Sequence, residues 1–380
     1  MDIRPFKSVS ERRLALEKDL KIDLKNVGFF SLDESMVANH NCENMVGVSQ
    51  IPIGIAGPIK IEGKNYFIPL ATTEGALVAS ISRGCKAITE SGGVLAGVER
   101  AGATRGPVFK IKNLTEKRTV ERFLEDNFTN LEDIVKKSGS HIALKKIDTA
   151  CAGHDLYVRF VFDTEDAMGM NMVTIATQDI ADFIEEKAKI KCLSLSGNYC
   201  IDKKPSWLNF TNGRGFKVWA EVLLTGEVLR DVLKTSAKKF YDVWLAKCMT
   251  GSALAGSMGF NAQFANTVAA VFLATGQDLA HIVEGSLGIT SAEIAGENLY
   301  VSVYLPDLMV GTVGGGTGLA TQKEALSVLG IIGGNNGRNS ENLAKIIGGS
   351  VLAGEISLLA SLSEGSLVKA HKKLGRGEKI

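Results

Sequence analysis

Between Thr250 and Gln277 the chain runs for 28 residues without one aspartate, glutamate, lysine, arginine or histidine. In a folded protein such a run must be covered, by lipid or by other protein. A membrane span needs about 20 predominantly apolar residues. This run carries Ser252, Ser257, Asn261, Gln263, Asn266 and several glycines, so its mean hydropathy is modest. It reads as a long helix buried inside a large domain, with Ala and Gly allowing close helix–helix packing. At roughly 100–200 residues per domain, 380 residues suggest two or three domains. The hydrophobic share of 45% leaves ample material for a sizeable core.

A formal net charge of +1 provides no global field to draw in nucleic acid or a membrane surface, so an anionic ligand must be held by local cations. The six cysteines, Cys42, Cys85, Cys151, Cys192, Cys200 and Cys248, form no C-x-x-C pair and no zinc-like spacing. Scattered thiols fit a reducing compartment. The first twenty residues contain no apolar run of signal-peptide kind. A cytoplasmic protein without a metal is expected.

Residues 1–42 read as a helical leader, with Ser10 capping SERRLALEKDL. IPIGIAGPIKIEG reads as turns and extended chain running into YFIPLA. TTEGALVASISRGCKAITESGG reads as a helix, capped by Thr72 or Thr73 and ended by Ser91-Gly92-Gly93, with Glu74 in its first turn. Residues 106–196 change texture: KRTVERFLEDN and NLEDIVKK have helical spacing, HIALKKI and DLYVRFVFD alternate like strands, and NMVTIATQDIADFIEEKAKI is helical again. This segment reads as a separate compact αβ domain. The loop SGNYCIDKKPSW follows, then a helix- and glycine-rich remainder with strands near EVLL and LYVSVYLPDLMVG.

No strict G-x-G-x-x-G and no G-x-x-x-x-G-K-[ST] occurs. Gly314, Gly315 and Gly316 lie in a different glycine-rich stretch whose bare backbone could approach a phosphate, or simply turn the chain. Asp166-Ala167-Met168-Gly169-Met170-Asn171 lies where a strand gives way to a helix, with Asn171 as its cap. Taken one at a time, Glu74 could be a dipole partner, Lys203 and Lys204 a solvated pair, Asp278 a helix exit and His371 a core histidine.

Their order decides. ENMVGVSQIPIGIAGP, LATTEGALVASISRGCKAI, TRGPVF, DAMGMN, SGNYCIDKKP, GQD, GTVGGGTGL and LVKAH resemble, in sequence, the motifs of 3-hydroxy-3-methylglutaryl-CoA (HMG-CoA) reductases over residues 40–371. DAMGMN and the DKKP loop resemble class I, in a soluble archaeal-type form. The resemblance implies an α/β (α+β) fold: a large domain around a long central helix, an inserted small ferredoxin-like nucleotide-binding domain, and a short helical N-terminal domain. The expected boundaries are 1–42, 43–105 with 206–380, 106–196, and a catalytic loop at 197–205, with Thr250–Thr275 as the central helix. A homodimer or tetramer with the active site between subunits is also implied.

The implied reaction reduces HMG-CoA to mevalonate and CoA with two hydrides from NADPH. In it Lys203 neutralises the oxyanion, Asp278 holds Lys203, Glu74 protonates mevaldehyde, and His371, before a tail able to act as a flap, protonates the thiolate. Arg105, Lys204, Lys247, Ser196 and Asn266 would hold the substrate carboxylate, and Arg83 the CoA. Asp166, Met168, Gly169, Met170, Asn171 and Gly314–Gly316 would meet the cofactor. Two departures stand out. SGSHIALKK lacks the arginine pair that often accompanies NADPH, leaving Lys145, Lys146 or Arg159 for a 2′-phosphate. GRGEK lacks a serine for regulatory phosphorylation. The alternatives are NAD-linked oxidation of mevalonate in the reverse direction, and a non-catalytic acyl-CoA-binding protein.

Overall fold

The computed structural model describes residues 2–365, and His371 falls outside them. Eleven strands form two sheets: β1 (Ile53–Ile61), β2 (Lys64–Ala71), β3 (Leu95–Arg105), β4 (Val108–Lys110), β5 (Ala143–Ala152), β6 (Asp155–Asp163), β7 (Lys191–Ser194), β8 (Arg214–Leu224), β9 (Gly259–Phe260), β10 (Gly288–Ala295) and β11 (Asn298–Leu308). β1 and β2 make an antiparallel hairpin. The other nine form one sheet in the order β7-β4-β6-β3-β8-β11-β10-β9, with β5 added beside β6. The architecture is mixed α/β.

β3 is the joint of this sheet. Leu95–Gly102 pairs with β8, and Ala103–Arg105 with β6. At the crossing Gly102 has φ +87, and a Cβ there would lie 2.7 Å from the Phe162 carbonyl oxygen, so only glycine fits without strain. Two apolar cores lie either side of the joint. The smaller packs Phe109, Val158, Phe160 and Phe162 against Val173, Ile180 and Ile184 of the helix Met170–Ala188. The larger is organised on the helix Arg338–Glu364, which packs on β8, β11 and the helix Leu77–Glu90.

Arg338–Glu364 is the central helix, which corrects the expectation of a central helix at Thr250–Thr275. The charge-free run is broken into a π-helix Leu245–Gly251, the short turn Ser252–Leu254, the two-residue β9 and the helix Phe264–Thr275. Its first half is largely exposed, Leu254 by 86%. Lack of charge therefore marks two different things here: core at Phe264–Thr275, and uncovered surface before it. The true central helix escaped notice because Lys345 and Glu355 interrupt its apolar sequence. By length and composition it could cross a membrane, but 83% of its most apolar window is buried in protein.

Small residues let this helix approach its neighbours. A Cβ on Gly84 would fall 1.9 Å from the Ala353 carbonyl oxygen, and one on Gly348 would fall 2.6 Å from Val218 Cγ1. Helix starts also differ from expectation. Ser8, not Ser10, caps Val9–Leu20, in a capping box with Glu11. Leu77–Glu90 begins after Ala76 in the left-handed region, so neither threonine caps it and Glu74 lies before its first turn. Gly169 rather than Asn171 is the N-cap of Met170–Ala188. In each case the shift is by two to four residues, within a stretch rich in competing caps. The helices and strands expected within 106–196 all form.

Gly84→Ala tests the packing. The added methyl meets backbone, which cannot rotate away, so we expect a loss of about 3 kcal/mol, read as a lowered melting temperature. An unchanged melt would show that the two helices can separate at no cost.

Candidate active site

The loop carrying Lys203 is held almost residue by residue. Gly197 N–H donates to the Gly106 carbonyl, Thr104 Oγ1 donates to the Cys200 carbonyl (2.9 Å), and Asn209 Nδ2 donates to the Ile201 carbonyl (3.1 Å). The Lys203 N–H donates to Glu284 Oε1 at 3.1 Å. Asn198, Ile201 and Lys203 all have positive φ. Non-glycine residues persist there only where their surroundings over-determine the backbone. The result is a fixed Lys203 Cα with a side chain that reaches outward to Asp278, Nζ to Oδ2 at 2.8 Å.

Asp278 is fixed independently. It follows the helix Phe264–Thr275 at Gly276 and caps the next turn, accepting from the Ala280 N–H at 3.0 Å. Burial opposes its ionisation, but the Lys203 and Ala280 bonds outweigh this and hold its carboxyl below the ordinary range. The neighbouring Gln277 amide spans Gly311, accepting from its N–H (2.9 Å) and donating to its carbonyl (3.0 Å). Gly311 in turn packs where a Cβ would lie 2.4 Å from the Met168 N. Val313 pairs with Ala167, and the Thr312 N–H donates to the Asp166 carbonyl. Three motifs distant in sequence are thus stacked backbone to backbone.

Beneath the Lys203–Asp278 pair lies a largely buried cluster of charge, of which only Asp202 is partly exposed. Arg214 is wholly buried. Its guanidinium donates to Glu284 Oε1 (3.0 Å), Asp202 Oδ1 (2.8 Å), Thr104 Oγ1 (2.9 Å) and Met170 Sδ (3.2 Å). His281 Nδ1 contacts the same Glu284 oxygen at 2.6 Å, while its Nε2 lies 3.7 Å from Asp278 Oδ2. Asp307 Oδ1 is 4.0 Å from Arg214, and burial pushes its carboxyl up to about 7. Asp202, His281 and Glu284 converge closely enough to suggest a metal site, but the guanidinium already stands on the two carboxylates as their cation. None of Arg214, His281, Glu284 or Asp307 was singled out from the sequence. A buried charge is spelled with the same letters as a surface one, and the only signal was that His281 and Glu284 closely follow GQD.

An open cavity of about 800 Å³ is lined by Glu74, Pro205, Asn261, Gln263, Asn266, Val283 and Ser286 among others, with neither Lys203 nor Asp278 in its wall. The Glu74 side chain is exposed and its N–H is turned by Thr72 Oγ1 (2.9 Å). Among the described residues no hydrogen bond joins Glu74 to Lys203 or Asp278, although Pro205, two residues beyond Lys203, shares its cavity.

The comparisons decide what this arrangement belongs to. The model of the hydroxymethylglutaryl-coenzyme A reductase family matches residues 8–376. The chain belongs to that family. It is 49% identical to the 3-hydroxy-3-methylglutaryl-coenzyme A reductase of Pyrococcus abyssi, covering 96% of this chain and 92% of the relative. It is 48% identical to that of Methanocaldococcus jannaschii, with the same coverage. Its fold is similar to a solved class II HMG-CoA reductase of Streptococcus pneumoniae bound to NADPH, with a TM-score of 0.71 and 21% identity, over 94% of this chain and 87% of that one. As a member of this reductase family the chain is an oxidoreductase.

Within the HMG-CoA reductase pattern the remaining residues divide. Asn266 lines the cavity, with its amide Nδ2 3.4 Å from Gln263 Oε1. Lys247 is exposed on the π-helix. Ser196 is exposed, 3.6 Å from Cys200 Sγ, and Lys204 Nζ folds back on the Asp202 carbonyl. Arg105 is held by Thr174 Oγ1 and stands 3.8 Å from Asp202. Arg83 is anchored on the end of the central helix, donating to the Ser357 carbonyl (2.6 Å), to Ser361 and to Glu364. Asp166 is buried, and its carboxylate accepts from the N–H groups of Asn335, Gly337 (2.8 Å) and Ser340 (2.9 Å). It is the cap of the central helix, and has no oxygen left facing open space. Met170 is buried against Arg214, Met168 is half-buried, and Asn171 is exposed. Arg159, considered for a 2′-phosphate, is only 3% exposed and paired with Asp148 and Asn209, which removes it from that role. Lys145 and Lys146 remain exposed on β5.

Two predictions follow from the charges. Arg214→Met leaves the buried Glu284 and the half-buried Asp202 without their shared cation, and we expect a loss of about 3 kcal/mol, measured by chemical denaturation. Stability within 1 kcal/mol of the parent would show that the carboxylates simply take up protons. Asp278, with a lowered carboxyl, contributes stability that is present above its unfolded value of about 3.9 and is lost as pH falls through the folded one. Asp278→Asn should therefore melt below the parent from pH 8 down to about pH 4, and the two should converge below that. A gap that had already closed at pH 6 would contradict the assignment.

Proposed function

We propose that this chain reduces HMG-CoA to mevalonate and CoA in two hydride steps for isoprenoid synthesis, with Lys203 as its electrostatic catalyst. The observation that carries the reading is the ammonium of Lys203, held by Asp278 at 2.8 Å on a loop whose Pro205 lines the cavity that holds Glu74 and Asn266. Residues at hand fit the dinucleotide. The first turn of Met170–Ala188 has no side-chain cap, and a Cβ on Gly314 or Gly315 would meet nothing within 4 Å. Bare N–H groups at such a helix start suit a pyrophosphate. NADPH supplies the two hydrides.

The chain's own residues must do the rest. A hydride added to the thioester carbonyl leaves a negative oxygen, which Lys203 neutralises in place, without solvent reorganisation. Asp278 keeps the ammonium oriented and charged. The reaction consumes two protons. One goes to the departing thiolate, from His371, which lies outside the described residues. The other goes to the mevaldehyde oxygen, from Glu74. Lys247, Asn266, Ser196 and Lys204 are the substrate-carboxylate group of this proposal, with Arg105 reaching it only if it leaves Asp202.

The class I assignment rests on DAMGMN and SGNYCIDKKP. The domain boundaries proposed are those of the sequence reading, supported by the two apolar cores. A homodimer or larger assembly is supported by uncovered apolar surface. The outer sheet face presents Leu95, Leu223 and Trp219 stacked on Tyr304, and the exposed, charge-poor Leu245–Gly256 segment adds to it. An apolar area of this kind marks an interaction surface.

Following nicotinamide absorbance with HMG-CoA tests the whole reading. NADPH should be consumed at two molecules per mevalonate, faster than NADH. Lys203→Ala should lose a factor on the order of 100–1000 in kcat with its fold intact by circular dichroism. Near-normal turnover in that variant, or oxidation of mevalonate with NAD as the sole reaction, would overturn the proposal.

A further inference from the structure

The carboxylate of Glu355 is wholly buried in the middle of the central helix, between Gly354 and Ile356. Burial raises its carboxyl above the ordinary range. No cation lies within ion-pair distance of it among the described residues. Three neutral donors take the place of a counter-ion. The N–H groups of Ala262 (2.8 Å) and Gln263 (2.6 Å) and the hydroxyl of Thr290 (2.5 Å) all point to its oxygens. Every one of these contacts needs an acceptor, and an ionised carboxylate supplies only acceptors. The two N–H groups stand at the start of the helix Phe264–Thr275, whose N-cap is Gln263 and which has no side-chain cap of its own. A negative charge is favoured at that end.

What these bonds hold is the wall of the cavity. Asn261, Ala262, Gln263 and Asn266 all line it. The Gln263 side chain returns to the same turn of the central helix, Nε2 donating to the Gly354 carbonyl at 2.6 Å. This presents its Oε1 to Asn266 Nδ2. Asn261 is pinned in turn, Nδ2 to the Ser286 carbonyl at 3.1 Å. The titratable groups that act on Glu355 are Lys247 on the π-helix, whose charge favours its ionisation, and Cys248 beside it. One carboxylate therefore fixes the segment that carries Asn266 and lies in the field of Lys247, two of the residues given to the substrate.

We propose that Glu355 is a positioning residue for the acyl substrate: it orders the Asn261–Asn266 wall and sets the negative potential behind Lys247, without touching the reacting atoms. The proposal rests on the reading of the cavity as the HMG-CoA site, so Asn266→Ala is measured alongside. Glu355→Gln keeps the size but replaces one acceptor oxygen with an amide that must face an N–H or the Thr290 hydroxyl. We expect KM for HMG-CoA to rise about tenfold, with kcat at saturation within about twofold and KM for NADPH unchanged. Thr290→Val removes a single donor, and should shift the same KM by about threefold if Glu355→Gln does not fold. Asn266→Ala should raise the same KM. If Asn266→Ala does so while the folded Glu355 and Thr290 variants leave it unchanged, or raise both KM values equally, the positioning role is wrong. If Asn266→Ala has no effect on KM, the cavity assignment itself fails.

Discussion

Arg214 is the interaction on which the rest of the site depends. It stands at the start of β8, where the pairing with β11 slips in register between Leu305 and Leu308. From there its guanidinium reaches the loop before Lys203 through Asp202, the turn after Asp278 through Glu284, the first residue of the helix Met170–Ala188 through Met170, and β3 through Thr104. A guanidinium presents five N–H donors in a rigid fork, so it can hold several elements at fixed angles at once, as a lysine could not. Removing a charge of this kind from water is costly, and the cost is recovered only when every bond is made. The Lys203 loop, the turn of Asp278 and the helix Met170–Ala188 are therefore held together by one group.

The same logic explains why Glu284 carries so many partners. One of its oxygens accepts from Arg214, from the Lys203 N–H and from His281. That single atom sets the distance between the Lys203 backbone and the turn that presents Asp278. The short contact between the Lys203 ammonium and the Asp278 carboxylate is the outer consequence of a geometry fixed beneath it. Surface ion pairs contribute little by themselves. This one is set in place because the backbone of Lys203 and the Asp278 carboxylate are each held by bonds of their own.

Much of this was legible in the sequence, and for physical reasons. Between residues 106 and 196 the strands alternate with period two and the helices with period 3.6, because each has one face on the small core, and all of them formed as read. Lys203 and Asp278 could be paired because their motifs keep a recognisable order. The central helix could not be found by the same means. It is buried on nearly all sides, so it has no amphipathic stripe, and its glycines and serines resemble a loop. Asp166 shows a related limit: its place at a strand–helix junction suggests a ligand, and the structure adds a second task, since its carboxylate accepts from the N–H groups that begin the central helix.

The charge-free run around residue 260 shows where composition stops being a guide to burial. Its second half is core, and its first half is bare surface around an exposed Leu254. The sequence has the same texture in both, so the lack of charge by itself does not separate core from exposed apolar surface. Glu355 is the counter-example. It is a carboxyl group inside the core, tolerated because three donors meet it, and placed where Ala262 and Gln263 need a partner. Absence of charge reveals that a surface must be covered but not by what. A charge in the wrong place, once its partners are known, reveals which segment the fold has to hold still.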